Sequence, residues 1–320
     1  MNDLRIVTDL DEGRELWRRV IPQDVISDLW EVRACFHRHY QHPLCFIVAE
    51  DDQGMAGFLP LSRIEERRCL GYFPGEIWQG KTWLEQNRIV ARDEAVMEAL
   101  VARCHHHYHL RYLLPLGTAS QWRQTVDEIG YLFLPPKYDF DLENYFQEFS
   151  HKSAKRIRRE VAAFDDRGVT YRYDDPADFD RLVELNLSRF GASSYYADAR
   201  FREGFRSLML FLREKGWLRI TAILIGGEPA AIDLGSIYRG TYTVLAGGAS
   251  GNFPGVAKLI NLHHMEFACL KRLRQVDFLC GDFSWKSMFH LTPRPLYLMS
   301  NLVAHDYQPA DAAMRSAPHA

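Results

Sequence analysis

The chain has 320 residues, of which 47% are hydrophobic, 25% charged and 13% aromatic, enough for two ordinary cores and without the bias of a disordered protein. A formal net charge of -3, from 39 basic and 42 acidic side chains, excludes reliance on one broad basic surface for non-specific nucleic-acid binding. No apolar run reaches the roughly twenty residues of a bilayer span, the N-terminus lacks a signal-peptide core, and six scattered cysteines without a CxxC pair read as buried thiols, so a cytoplasmic location is expected.

The first elements are a strand at Leu4 to Thr8 and amphipathic helices at Asp11 to Arg19 and Asp24 to Tyr40. Pro43 to Glu50 is an apolar strand, a DDQG turn follows, and Met55 to Ser62 returns beside it; Arg68 to Phe73 adds a third strand. Asp93 to His106 then reads as a helix and Leu110 to Leu114 as a short buried strand.

A polar helix at His151 to Asp166 separates this half from a second one that repeats its order. Gly168 to Tyr173 is a strand, Pro176 to Phe190 and Ala199 to Lys215 are helices, and Leu218 to Ile225, Ala230 to Tyr238 and Thr241 to Gly247 form a meander. Pro254-Gly255 opens a helix reaching about Leu273. Val276 to Cys280 must then run parallel to the last meander strand if the connection is a right-handed crossover, and Leu296 to Ala304 closes the half. The expected fold is therefore α/β (α+β), two tandem units of mixed sheet with flanking helices, at 1–142 and 143–307, with a frayed tail at 308–320.

The closing stretch Val276-Asp277-Phe278-Leu279-Cys280-Gly281-Asp282-Phe283-Ser284-Trp285-Lys286 resembles the end motif of FemAB-related acetyltransferases, a branch of the GNAT-like acyltransferases. The basic run SAKRIRR at Ser153 to Arg159, the Gly227-x-x-Ala230 hairpin and the Pro254-Gly255 helix start fall in that family's order, so the resemblance covers about residues 150 to 300. It implies a GNAT-type fold and transfer of an acyl group to an amine or hydroxyl. The family includes proteins linked to exopolysaccharide and cellulose synthesis, and relatives that use aminoacyl-tRNA. Trp285 stands where the family usually carries tyrosine, so a phenol at that position is missing here.

Acyl transfer needs aligned reactants, a route for a proton and donors to the developing oxyanion. Asp282 and Lys286 lie just beyond the parallel strand, where ligands gather on α/β sheets, and are expected to be catalytic; removal of the Lys286 ammonium is expected to cut turnover without unfolding the chain. Asp233 sits alone in an apolar strand and needs a partner, for which Lys286 or Arg239 are candidates, while Tyr238 and Tyr242 are candidate proton relays. The loop from Gly247 to Gly255 supplies small residues at a helix start, so Gly251, Asn252, Gly255 and Lys258, with Arg156 from the basic helix, are expected to hold the donor's phosphates. The plainer reading of that loop is a connector with a proline at the first helical position.

In the first half, Gly75 to Thr82 satisfies GxxxxGK[ST] to the letter, but Ile77 and Trp78 are bulky and the strand-loop-helix context of a phosphate loop is absent. This stretch and its continuation are dense in polar and aromatic groups, so Glu76, Trp78, Lys81, Glu85 and Asn87, together with Trp285, are expected to meet the acceptor. His105 to His109 straddles an expected helix end without partners for a metal, and no metal is expected. Acyl-CoA is the expected donor, with an acyl carrier protein or aminoacyl-tRNA as alternatives. The acceptor is expected to be a small molecule or a cell-envelope or polysaccharide precursor. A non-catalytic binding module of a polysaccharide or lipid assembly is the competing reading.

Overall fold

The computed structural model describes residues 3–115, 124–281 and 284–302; the tail expected at 308–320 and Asp282 lie outside them. In chain order the first half contains β1 (Asp3–Val7), α1 (Leu10–Val20), α2 (Trp30–Tyr40), β2 (Leu44–Asp51), β3 (Gly54–Ile64), β4 (Cys69–Tyr72), β5 (Ile77–Trp78), β6 (Lys81–Thr82), β7 (Val90–Ala91), α3 (Glu94–Ala102), β8 (His107–Leu113) and β9 (Thr125–Phe133). The second contains α4 (Leu142–Phe146), α5 (His151–Asp165), β10 (Val169–Tyr173), α6 (Asp178–Phe190), α7 (Ala199–Glu214), β11 (Leu218–Ile225), β12 (Glu228–Tyr238), β13 (Thr241–Ala249), α8 (Val256–Leu270), β14 (Gln275–Asp277), α9 (Ser284–Met288) and β15 (Thr292–Ser300). Strand, two helices, three-strand meander, crossover helix and parallel strand thus occur twice.

The chain forms two compact units. One holds the described residues up to Ile129 with Glu203–Leu208 and the described residues from Pro295 on; the other holds Gly130–Arg202 and Met209–Arg294. In the first unit the strands run β1-β2-β3-β4-β8-β15, with Tyr297 to Ser300 of β15 antiparallel to β8. In the second they run β9-β14-β13-β12-β11-β10, with Leu132 and Phe133 of β9 antiparallel to β14. Each unit's sheet is therefore completed by a strand from the other half of the chain.

Local chemistry accounts for the helix limits. Asp9 caps α1 by accepting from the Glu12 N–H, and Leu16 and Trp17 carry its buried face. The helix expected from Asp24 begins only at Trp30, because Asp28 accepts from the N–H groups of Asp24 and Val25 and holds a tight turn there. Trp30 stacks on Phe73 at 4.9 Å in a core shared with Trp17 and Phe46. α3 ends at Ala102, so His107 and His109 belong to β8 and not to a helix end. The second unit's core joins Phe133, Tyr145, Met265, Val276 and Phe289. β9 and α4 have no counterpart among the elements expected from sequence, and β15 starts at Thr292 instead of Leu296. Among the described residues no helix is long and apolar enough to cross a membrane.

Candidate active site

In the second unit β13 pairs in parallel with β14 only at Thr241–Gln275, Tyr242–Val276 and Thr243–Asp277. β13 continues to Ala249 along β12, whereas β14 stops. The stop has a local cause. Asp277 Oδ1 accepts from the Leu279 N–H at 2.9 Å, Leu279 takes a left-handed φ of 56°, and the carbonyls of Phe278, Leu279 and Cys280 converge on the Lys286 ammonium at 2.9, 2.9 and 2.8 Å. The strand expected to reach Cys280 thus ends at Asp277, itself buried and held by Arg294 at 2.7 Å. The two parallel strands part at their carboxyl ends, where α/β folds bind ligands.

Lys286 is 2% exposed, and its three N–H donors match these three carbonyls. These bonds hold the corner at the end of β14. Trp285 beside it packs edge-on against Phe278 and Phe289.

Asp233 lies on β12 opposite Gly247 of β13, in the stretch that β14 leaves uncovered. Its partner is neither Lys286 nor Arg239 but His264 of α8, whose Nε2 lies 2.8 Å from Oδ2. His264 Nδ1 lies 3.2 Å from Tyr242 Oη, and Asp233, His264 and Tyr242 are all buried. Burial raises the Tyr242 phenol far above its usual range, with the Asp233 charge adding to the effect, so it stays protonated. Because a carboxylate oxygen only accepts, it is His264 Nε2–H that donates to Asp233 Oδ2. The other oxygen, Oδ1, occupies the space a side chain at position 247 would need: a Cβ there would lie 2.4 Å from it. Gly247 is what lets the carboxylate lean over β13.

The loop after β13 is tied back by the Ser250 N–H to the Ala230 carbonyl at 2.8 Å, and the Ser250 hydroxyl accepts from the Asn252 N–H. Gly255 caps α8 with φ 89°, a conformation that favours glycine, and no side chain caps the first turn. Gly251, Asn252 and Gly255 are exposed, and Lys258 forms an ion pair with Glu160 of α5, which Arg156 also approaches at 3.9 Å. Arg167 sits over the Phe253 ring at 5.3 Å. Lys258, in the first turn of α8, and Arg167, over Phe253, therefore lie close to a helix N-terminus that carries the positive end of the dipole.

The structure does not bring Tyr238 to this place. It lies at the far end of β12, paired with Thr241, and packs on Trp217 at 4.8 Å. In the first unit, Gly75 to Thr82 is a β5–β6 hairpin pairing Ile77 with Thr82 and Trp78 with Lys81, not a phosphate loop. Glu76 is buried and accepts from Thr82 Oγ1 at 2.6 Å and from the Leu84 N–H at 2.8 Å, and burial pushes its pKa up. Lys81, Glu85 and Asn87 are buried as well. His264 was not among the residues singled out from sequence, although a signal existed: Val256, Ile260, His264 and Ala268 follow at four-residue spacing on the buried face of α8.

Residues 151–287 match the acetyltransferase (GNAT) domain model. Similar solved structures include FemX (TM-score 0.56, 10% identity, 98% of this chain and 100% of that one). Another is the C-terminal domain of a putative lysylphosphatidylglycerol synthetase from Agrobacterium fabrum (0.55, 12%, 92% and 94%), and a third is L-PGS from Bacillus licheniformis (0.53, 9%, 84% and 90%). At these identities the likeness is one of fold. A sequence search of curated proteins finds no match. The repeated meander and crossover, the parting of β13 from β14 and the domain match agree with the FemAB-related resemblance of the closing motif, and the acetyltransferase (GNAT) match over residues 151–287 supports an N-acyltransferase enzyme.

Proposed function

We propose that the second unit transfers an acyl group from a thioester donor, acyl-CoA or a related thioester, to an amine or hydroxyl of a small molecule or cell-envelope precursor. The observation that carries this reading is the parting of β13 and β14 next to the glycine-capped start of α8. The thioester lies along the edge of β13 beyond its pairing with β14, whose backbone N–H groups polarise its carbonyl. The donor's phosphates meet the α8 N-terminus with Lys258 and Arg156. The acceptor nitrogen or oxygen attacks the carbonyl carbon, the C–S bond breaks, the thiolate leaves and is protonated by water. The acceptor's proton goes to Asp233, held in place by His264 and Tyr242.

A second reading takes aminoacyl-tRNA as donor. It is favoured by the exposed basic side chains of α5, Lys152, Lys155, Arg156 and Arg159, and by fold neighbours named FemX and L-PGS. Native mass spectrometry with acetyl-CoA, longer acyl-CoAs and bulk tRNA offered in turn separates the two. A stoichiometric thioester adduct, with thiol release on addition of an amine, supports the first. Retention of tRNA alone, lost steeply with salt, supports the second.

A further inference from the structure

The phase of the β12–β13 ladder decides which backbone groups line the opening. The Ser250 N–H donates to the Ala230 carbonyl directly across from it, so these two face each other as a hydrogen-bonded pair. Along the same register, Ala231–Ala249 and Asp233–Gly247 then fall at the non-hydrogen-bonded positions. The N–H and C=O of Gly247 therefore point away from β12, to the edge that β14 has left. An edge of this kind presents acceptors as well as donors. A bare Gly247 carbonyl would set its negative end beside the N–H of the same residue, and would oppose charge growing on a thioester oxygen held there.

Asn186 of α6 engages this carbonyl, its Nδ2 donating to the Gly247 oxygen at 3.2 Å. Its own Oδ1 accepts from the Ser194 hydroxyl at 2.6 Å, and the Ser194 oxygen accepts from the Tyr196 N–H at 3.1 Å. Ser194 is buried and directs its proton to Asn186, so the amide has one orientation: oxygen to the hydroxyl, nitrogen to the carbonyl. α6 comes this near because Gly248 has no side chain. A Cβ there would lie 3.0 Å from Leu185 Cβ and 3.1 Å from the Leu182 carbonyl oxygen. Gly247 thus makes room for Asp233 on one face of β13, and Gly248 for α6 on the other.

We propose that Asn186 is a positioning residue for acyl transfer: by engaging the Gly247 carbonyl it offsets the acceptor at the opened edge, so that a thioester carbonyl laid there meets chiefly the N–H donor. Asn186 acts through the Gly247 peptide, and Ser194 one bond further back by fixing the amide. The proposal rests on the thioester reading given above and adds to it a pair of residues outside the closing motif.

The test follows the thioester carbonyl itself. The full chain is loaded with acetyl-CoA labelled at its acetyl carbonyl; titration calorimetry measures binding, and isotope-edited infrared difference spectra measure the carbonyl stretch of the bound thioester. In the wild type the bound band is expected below that of free acetyl-CoA. Asn186→Leu keeps the bulk and helix propensity of the position. It is expected to bind with little change in affinity and to move the band most of the way back to the free position. Ser194→Ala should move it part of the way, and the double variant no further than Asn186→Leu alone, because both act through one carbonyl. A band left at the wild-type position in either variant, or shifts that add in the double variant, would overturn the proposal while leaving the donor reading intact. So would a wild-type protein that binds acetyl-CoA without displacing its band. Failure of the wild type to bind acetyl-CoA would overturn the donor reading and this inference with it.

Discussion

His264 holds Asp233 by one carboxylate oxygen, at 2.8 Å from Nε2 to Oδ2, and the second oxygen leans over the bare Cα of Gly247. This leaves one oxygen fixed and the other directed toward uncovered β13. Asp233→Asn is expected to lower kcat on the order of 100-fold, the usual scale for losing a positioned base, with donor affinity unchanged. Thiol-release kinetics beside calorimetry measure both. Retention of wild-type turnover by a folded Asp233→Asn protein would move the proton acceptor elsewhere.

Gly247→Ala puts a methyl 2.4 Å from Asp233 Oδ1, on a strand that cannot easily withdraw. A cost of about 1–3 kcal/mol in urea melts is expected, as for other overpacked sites, together with loss of activity. In an Asp233→Ala background the same substitution should cost close to nothing. A full penalty persisting there would show that the clash is with something other than the carboxylate.

Lys286→Met keeps much of the side chain's bulk but abandons three carbonyls at 2.8–2.9 Å in a buried corner. Leaving such groups unsatisfied is expected to cost about 3 kcal/mol or more, seen as a lower denaturation midpoint. Activity should fall because the end of β14 is no longer held. A Lys286→Met protein as stable as the wild type but inactive would restore a direct role in the chemistry.

Burial, aided by the Arg111 charge, holds the His109 imidazole down to about 4 from an ordinary 6.5. Below pH 6.5 the unfolded chain takes up a proton that the folded chain refuses, so this contribution is complete above 6.5 and is lost as pH falls toward 4. The loss is on the order of 3 kcal/mol at the lower limit. Burial depresses His263 in the same direction. His109→Gln should flatten the acid side of the stability profile measured in urea. An unchanged slope would mean that His109 is accessible to protons in the folded state.

Much of the fold was legible because its signals are local. Alternating apolar runs broken by Gly226-Gly227 and Arg239-Gly240 mark the second meander, and Pro254-Gly255 marks the start of the crossover helix. Asp233 and Tyr242 were readable as polar groups in apolar strands, but their common partner His264 was not. That histidine lies 31 residues from Asp233, and the two meet only because of how α8 is rotated on β12. The helix expected from Asp24 failed for a different reason: Asp28 offers the backbone a competing acceptor.

By itself the sequence determined the order of elements, their repetition and the polar residues placed in otherwise apolar strands, since each depends on side-chain periodicity and turn chemistry within a few residues. Tertiary structure alone decided that β9 and β15 complete sheets in the opposite halves, that Lys286 closes a corner, and that Asn87 bridges to Leu113 of β8. These outcomes rest on backbone hydrogen bonds between distant segments. Every residue except proline carries the same backbone groups, so the sequence does not say which will pair.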